Sequence, residues 1–367
     1  WPAITIGVAF AIAFFYLFYF APGFGIAPKT NLFIFAAIAS SALYAWRSLW
    51  AVFIETRSGG KHVLLIGGDA STAELKTHLE KNPQLGYAVH AWMRGGLADP
   101  ALKNMAMLIK EHGINIIVVP QALHEHERAH IIYGYIGSGI EVVDLVHMYE
   151  AIFQKIPLRE LEDARFASML GSEHGFYDRI KRILELALAL TLSIVLSPLF
   201  LLIASSIKIS SPGSAFFTQT RVGQHGKNFV LWKFRTMFIG AEKHGPVWSK
   251  PGDTRITPLG KFLRASHLDE LPQLWNIVRG ELSFVGPRPE RPEFVATLIN
   301  DVPFYELRHI VKPGLTGWAQ LNYKYGASRE DAYEKLQYDL YYIKYRSLWL
   351  ELGTLIKTVK RFFVNAQ

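Results

Sequence analysis

The residues able to do chemistry gather between Phe217 and Tyr345. Asp269 and Glu270 stand side by side in the run HLDELPQLWN. Adjacent positions on a helix diverge by about 100°, so these carboxylates meet different partners, and two separate roles fit them better than one shared proton. Ser266 precedes Asp269 at capping-box spacing and Pro272 suits a first helical turn, so a structural reading stands beside the chemical one. A carboxylate at a helix N-terminus is held ionised by the positive end of the dipole, the state a nucleophile or metal ligand needs. Arg288 lies between Pro287 and Pro289, whose fixed φ angles stiffen the chain and suit the guanidinium to bidentate phosphate capture. The stretch FTQTRVGQHGKNFVLWKFRTM interleaves Arg221, Lys227, Lys233 and Arg235 with aromatic and apolar residues. That pattern fits a phosphate-gripping hairpin or a solvated strand pair. In VKPGLTGWAQ, Lys312 is followed by Trp318 and Gln320, which suit stacking on a base and hydrogen-bonding it, or plain core packing in the case of the Trp.

These groups must be carried by something, and the composition says what. The chain has 367 residues, half of them apolar, and no Cys. Disulfide scaffolds, thiolate metal sites and cysteine nucleophiles are thereby excluded. A mean hydropathy of +0.15 points to membrane segments. Residues 1–210 are balanced at 17 basic and 17 acidic side chains, so the net charge of +8 falls entirely in 211–367. A basic domain in an apolar chain suits a phosphate-bearing partner: anionic lipid, nucleotide or nucleic acid.

Residues 3–21 form an uncharged run of 19, just long enough at about 1.5 Å per residue to cross about 30 Å of hydrocarbon. Residues 32–54 form a second run, with Arg47, Arg57 and Lys61 at its cytoplasmic end. The chain opens on Trp1 without a signal-peptide layout, so an upstream segment is expected. A third run, 183–209, is interrupted at Ser197 and Pro198, which divide it into arms too short to span. Arg179, Lys181 and Arg182 precede it and Lys208 and Arg221 come after it, so both ends favour the cytoplasmic face. A re-entrant hairpin is expected, with a kinked spanning helix as the alternative.

Between these runs, 62–68, 114–120 and 140–145 read as buried strands separated by helical lengths, a parallel Rossmann-like unit. Only Gly67 and Gly68 end the first strand, so the dinucleotide fingerprint is broken and no cofactor is expected there. His124, His126 and His130, with Glu125 and Glu127, have the spacing of a solvated helix rather than a metal cluster. Near the C-terminus, Leu348, Leu352, Leu355, Ile356, Val359 and Phe362 form an apolar stripe opposite Lys357, Lys360 and Arg361. It fits a helix lying on an anionic membrane or one facing the core.

Taken in order, the Ser197-Pro198 break, FTQTRVG, KFRTM, LDELPQLWN, SFVGPRPE and VKPGLTGWAQ make residues 177–363 resemble the bacterial sugar transferases. These are monotopic polyprenyl-phosphate sugar-1-phosphate transferases that begin exopolysaccharide, O-antigen or glycan assembly. The upstream layout is similar to the large members, whose membrane helices precede a Rossmann-like domain. The segment from GWAQLNYKYG onward looks like the exopolysaccharide subgroup. The resemblance implies an α/β membrane protein with transmembrane helices over 1–54 and a Rossmann-like cytoplasmic domain over 55–165. A linker and re-entrant helix would come next over 166–209, and a mixed α/β catalytic domain over 210–367. It implies Asp269 as nucleophile, Glu270 as Mg²⁺ ligand, and Arg264 and Arg288 as phosphate-binding residues; the basic stretch adds Arg221, Lys233 and Arg235 as candidate phosphate contacts. One departure is His267, where short members often have Ser two residues before the nucleophile.

The expected activity is transfer of a hexose 1-phosphate from a UDP-sugar to undecaprenyl phosphate, with Mg²⁺ and release of UMP, through a phosphosugar-aspartyl intermediate. The expected setting is the bacterial inner membrane, facing the cytoplasm among membrane lipids, as a homodimer and without nucleic acid. The rivals are an inactive membrane-anchored assembly scaffold and a nucleic-acid-gripping regulator. Intact Asp269, Glu270 and Arg288 count against the first, and the absence of a helix-turn-helix pattern against the second.

Overall fold

The computed structural model describes residues 40–49, 60–94, 105–120, 137–160, 175–241, 253–323 and 328–364, with 38, 131, 133–135 and 326 besides. The first apolar run and the histidine-rich segment 124–130 lie outside these residues; of the second run, 40–49 are helical and 41–49 exposed. Contacts divide the chain into two units, one of 1–68, 73–118 and 129–142, the other of 69–72, 119–128 and 143–367.

In the middle of the chain, β1 (Lys61–Ile66) leads to α1 (Ala70–Lys81), β2 (Tyr87–Met93), α2 (Met105–His112), β3 (Ile116–Val119) and β4 (Glu141–Asp144). The sheet order is β2-β1-β3-β4, with β1 parallel to both neighbours. Val63 to Ile66 and Ile116 to Val119 are buried, as continuous apolar runs in a parallel sheet require. β2 was not among the expected strands: its sequence YAVHAWM is only half-buried and mixes His and Ala with aromatics, so it lacks that unbroken apolar signature.

Helix α3 (Leu145–Phe153) packs with the C-terminal unit. Its buried Glu150 accepts from Lys344 at 2.8 Å and from Tyr345, and Lys155 just beyond it pairs with Glu334 at 3.0 Å. The sequence reading carries the middle domain to 165, whereas the contact boundary falls at 142/143.

The third apolar run forms α4 (Gly175–Val195) and α5 (Ser197–Ser210), bent by 60° at the proline. Pro198 occupies the first turn of α5, where its missing N–H costs nothing, and Ser197 Oγ donates back to Ile194 O. Among the described residues no single helix is long and apolar enough to cross a membrane, while this pair meets the length and composition together. Its outer face stays exposed, from Ile183 at 67% to Ile209 at 86%.

The base of α4 is tied firmly to the C-terminal unit. Lys181 donates to Val285 O at 2.9 Å, to Tyr342 Oη at 2.8 Å and to Glu351 at 2.7 Å. Glu185 is buried and accepts from Ser283 Oγ and from Phe284 N at 3.0 Å.

The rest of the unit runs through the antiparallel pair β5 (Phe216–Val222) and β6 (Asn228–Phe234), then α6 (Pro258–Ala265), α7 (Gln273–Arg279) and β7 (Ser283–Val285). It continues with α8 (Pro292–Asp301), β8 (Gly314–Thr316), α9 (Trp318–Asn322), α10 (Arg329–Tyr345) and α11 (Leu348–Val364). β7 and β8 pair in parallel. The core joins Phe229 and Leu231 to Leu274, Ile277, Val285, Leu336, Leu340 and Ile343. On α11 the expected stripe divides. Leu355 packs on the core, while Leu348, Leu352, Ile356 and Val359 are exposed.

Candidate active site

Pairing of β5 with β6 sets Gln219 opposite Leu231, Arg221 opposite Phe229 and Phe217 opposite Lys233. Side chains alternate along a strand, so Arg221, Leu231 and Lys233 share one face. That face lines a pocket completed by Glu270, Gln273, Arg288, Pro289 and Gly314.

The Asp-Glu pair reaches this place through α6. Thr257 caps that helix, its Oγ1 accepting from Gly260 N at 2.9 Å while its own N–H donates to Thr236 O. A Cβ at Gly260 would lie 2.0 Å from Thr236 O, so only glycine lets the helix lie this close to the end of β6. Arg264, one turn later, donates from Nε to Thr236 Oγ1 at 2.9 Å. The chain then reverses at His267, whose φ of 55° is left-handed, and forms the 3₁₀ turn Leu268–Glu270 ahead of α7. Ser266 caps nothing downstream: its Oγ donates to Phe262 O at 2.8 Å, inside the helix it ends. The capping-box reading is therefore corrected, because Ser266 closes one helix instead of opening the next.

Glu270 Oε1 accepts from Lys233 Nζ at 2.7 Å and from Arg288 Nη2 at 3.1 Å. Burial alone pushes this carboxyl up, but the Arg288 and Lys233 charges and their hydrogen bonds outweigh it and hold it well below the usual carboxylate range. Asp269 is 8% exposed and accepts no hydrogen bond from any described residue. Burial pushes its carboxyl up, against the opposing pull of Lys233, Arg264 and His267. The sequence argument that a helix dipole holds Asp269 ionised is replaced by this balance, in which burial and the neighbouring Glu270 charge work against Lys233, Arg264 and His267. The two carboxylates, equivalent in sequence, are thus pushed in opposite directions.

Arg288 is aimed by more than its prolines. Four consecutive carbonyls of its loop are each held: Pro287 O by Gly314 N at 2.9 Å, Arg288 O by Arg308 Nη2 at 2.9 Å, Pro289 O by Arg221 Nη1 at 3.1 Å and Glu290 O by Val222 N at 2.9 Å. Arg308 is 7% exposed; it also pairs with Asp339 at 2.9 Å and donates to Tyr305 Oη at 2.6 Å. Burial pushes the Asp339 carboxyl up, and the guanidinium draws it back. Neither Arg308 nor Asp339 figured among the expected site residues. Their only sequence signal is an acid isolated among aromatics in QYDLYY.

Arg221, Lys233, Glu270 and Arg288 are thus brought together, with Asp269 and Arg264 adjoining. Arg235 is elsewhere, donating to Ser211 O and Oγ and to Pro212 O, so it fastens the turn after α5. Trp318 is also elsewhere: it is buried, donates from Nε1 to Gln154 O at 3.0 Å and carries Lys357 over its ring. A base has no access to that ring, and core packing is its role. Gln320 does not line the pocket; its backbone carbonyl accepts from Arg361.

The residues that build this cationic pocket fall within a stretch that matches a known family. The profile described as bacterial sugar transferase matches residues 176–365, and the chain belongs to that family. A UDP-N-acetylgalactosamine-undecaprenyl-phosphate N-acetylgalactosaminephosphotransferase of Aeromonas hydrophila is 38% identical over 223 residues, covering 61% of this chain and 52% of the relative. The UDP-glucose:undecaprenyl-phosphate glucose-1-phosphate transferase of Escherichia coli K12 is 28% identical over 344 residues, covering 90% and 74%. Its namesake of Klebsiella pneumoniae is 38% identical over 269 residues, covering 73% and 52%. The chain spans about half the length of the first and third of these relatives.

Proposed function

We propose that this chain transfers a sugar 1-phosphate from a UDP-sugar to undecaprenyl phosphate and releases UMP, as the first membrane step of exopolysaccharide or O-antigen synthesis. The observation that carries the reading is the contrast within Asp269-Glu270. Glu270 is held as an anion by Lys233 and Arg288, while Asp269 is desolvated and has oxygen lone pairs unengaged by any described residue. A poorly stabilised carboxylate is the better nucleophile.

Asp269 attacks the β-phosphorus: an Oδ–P bond forms, the bond from that phosphorus to the bridging oxygen breaks, and UMP leaves with the electron pair. A phosphate oxygen of the lipid then attacks the aspartyl phosphosugar, and the Asp269 carboxylate is regenerated. Two bulky anions never have to meet in a single displacement. Lys233, Arg288 and Arg221 neutralise charge on the diphosphate from fixed positions, which costs no reorganisation during reaction.

Mg²⁺ fits this donor set. Both cations bind Oε1 of Glu270, leaving Oε2 for a metal, and Mg²⁺ is commonly held by one or two carboxylates plus substrate phosphates. When bound, the ion would supply charge neutralisation at the diphosphate. The exposed faces of α4 and α5 support a re-entrant anchor in the inner membrane that keeps the pocket at head-group level on the cytoplasmic side. The homodimer is part of the same reading, with the α/β unit, whose sequence carries no evident dinucleotide fingerprint, suited to contact between subunits.

The test is to incubate the chain with a UDP-sugar labelled in its sugar, without lipid. Label should remain on the Asp269 peptide after denaturing quench, and Asp269→Asn should abolish both adduct and UMP release. Ternary-complex kinetics with no adduct would overturn the mechanism.

A further inference from the structure

A second cationic site lies outside the pocket. α7 ends at Gly280, whose φ of 78° is left-handed. A Cβ there would stand 3.2 Å from Arg182 Nη2 and 3.6 Å from Lys312 Nζ, so the two cations flank one point. Arg182 donates to Ile277 O and to Val278 O at 2.7 Å, but among the described residues it has no carboxylate within ion-pairing distance. Lys312 is half-buried and has neither a hydrogen bond nor an ion pair with any described residue.

The nearby acids are engaged elsewhere: Glu185 with Ser283 and Phe284, Glu351 with Lys181, and Asp178 near Arg346. Burial, then the neighbouring Arg182, pulls the Lys312 ammonium down from its ordinary value. A cation with no partner among the described residues, beside a second cation, is electrostatically incomplete, and a dianion or monoanion between them removes the repulsion. Lys312 is also well positioned. It precedes Pro313, whose carbonyl accepts from Ser283 N at 2.8 Å, so the backbone that carries it is part of the β7–β8 pairing.

The surroundings identify the class of anion. Arg182 directly precedes the exposed apolar face of α4, beginning with Ile183 and Leu184, and the short helix that ends at Gly280 exposes Trp275. Cations at the foot of an apolar helix beside an exposed Trp are at head-group depth. We propose that Lys312 and Arg182 form a phosphate-binding subsite, separate from the pocket around Glu270, that takes the phosphate group of a membrane lipid. The inference rests on the proposed membrane association of α4. The same chemistry serves the phosphate monoester of a polyprenyl lipid and a phospholipid head group.

The test uses the full chain carrying Asp269→Asn, so that turnover plays no part, in nanodiscs of phosphatidylcholine alone, with added polyprenyl phosphate, with added phosphatidylglycerol, or with inorganic phosphate in solution. An amine-acylating reagent is applied and labelling of Lys312 is read by peptide mass spectrometry against the exposed Lys227. Severalfold protection by polyprenyl phosphate alone supports a subsite for the monoester, and protection by both lipids supports a general head-group site. Arg182→Gln should reduce the protection and Arg182→Lys should retain it. Equal labelling in every arm overturns the proposal. So does protection by inorganic phosphate alone at high concentration, which would mark an adventitious ion only. Absence of the aspartyl adduct in the unsubstituted chain would refute the proposed mechanism and leave this result standing.

Discussion

Arg308→Met is the most informative single change. It removes a guanidinium that pairs with Asp339 at 2.9 Å, donates to Tyr305 Oη and holds Arg288 O. Asp339 is 2% exposed, so its charge has no water to turn to. Breaking a buried pair from one side costs about 3–5 kcal/mol, and the lost bond to Arg288 O adds about 1 kcal/mol. Against a typical domain stability of about 5–15 kcal/mol this is a large fraction. Asp339→Asn in the same chain removes the stranded charge, so the double variant should be more stable than the sum of the single costs implies, with a coupling of about 2 kcal/mol. Urea unfolding of the purified chain, monitored by Trp fluorescence, measures all four corners of the cycle. UMP release should fall together with stability in Arg308→Met and stay low in the double variant, because the loop carrying Arg288 has lost one of its supports in both. A cost under about 1 kcal/mol, or strictly additive single costs, would refute the buried-pair argument.

Other outcomes concern the site and its carriers. Because burial raises the Asp269 carboxyl, the nucleophilic form grows in as pH rises through that raised value, and the acid limb of UMP release should lie above that of an ordinary aspartate. Lys233→Met removes a cation that opposes burial at both carboxylates and should move the limb to still higher pH; an unmoved limb would contradict the assignment. Glu270, depressed in the fold, contributes stability above the ordinary glutamate value and loses it as pH falls through the depressed one, so Lys233→Met should also bring acid unfolding to higher pH. Gly260→Ala forces α6 off the Thr236 carbonyl and should cost about 1–3 kcal/mol in urea unfolding, with loss of activity. Single cysteines at Arg179 and Ser214, in a chain with no native Cys, should label from the same side of sealed vesicles; labelling from opposite sides would sink the re-entrant anchor.

The parts legible in the sequence were those written in neighbouring residues. Pro198 announces the bend, the runs at 63–66 and 116–119 announce parallel strands, and Pro287-Arg288-Pro289 announces a stiff arginine. The features that stayed hidden depend on partners far along the chain. Arg308 finds Asp339 across β8, α9 and the first turns of α10, and no spacing rule connects them. Ser266 had the right spacing for a cap but the wrong backbone, because the left-handed turn at His267 falls between it and Asp269. Trp318 and Arg235 carried chemically suggestive side chains whose fates were settled by the space available, a core slot for one and a helix end for the other. The opposed shifts of Asp269 and Glu270 were invisible for the same reason: burial and the convergence of Lys233 with Arg288 belong to tertiary structure.

The bonds at the base of α4 have a mechanical meaning. Lys181 grips the carbonyl of Val285, the residue leading into Gly286-Pro287-Arg288, while Glu185 one turn higher grips Ser283 and Phe284. Helix and arginine loop are therefore two arms of one lever, with β7 as its fulcrum. If α4 is seated in a bilayer as proposed, a change of hydrocarbon thickness that retilts it would be felt at Arg288 without any ligand passing between them. On the proposed function, the lipid surroundings would then act on the reaction twice, once by supplying a substrate and once by setting the angle at which the chain receives it.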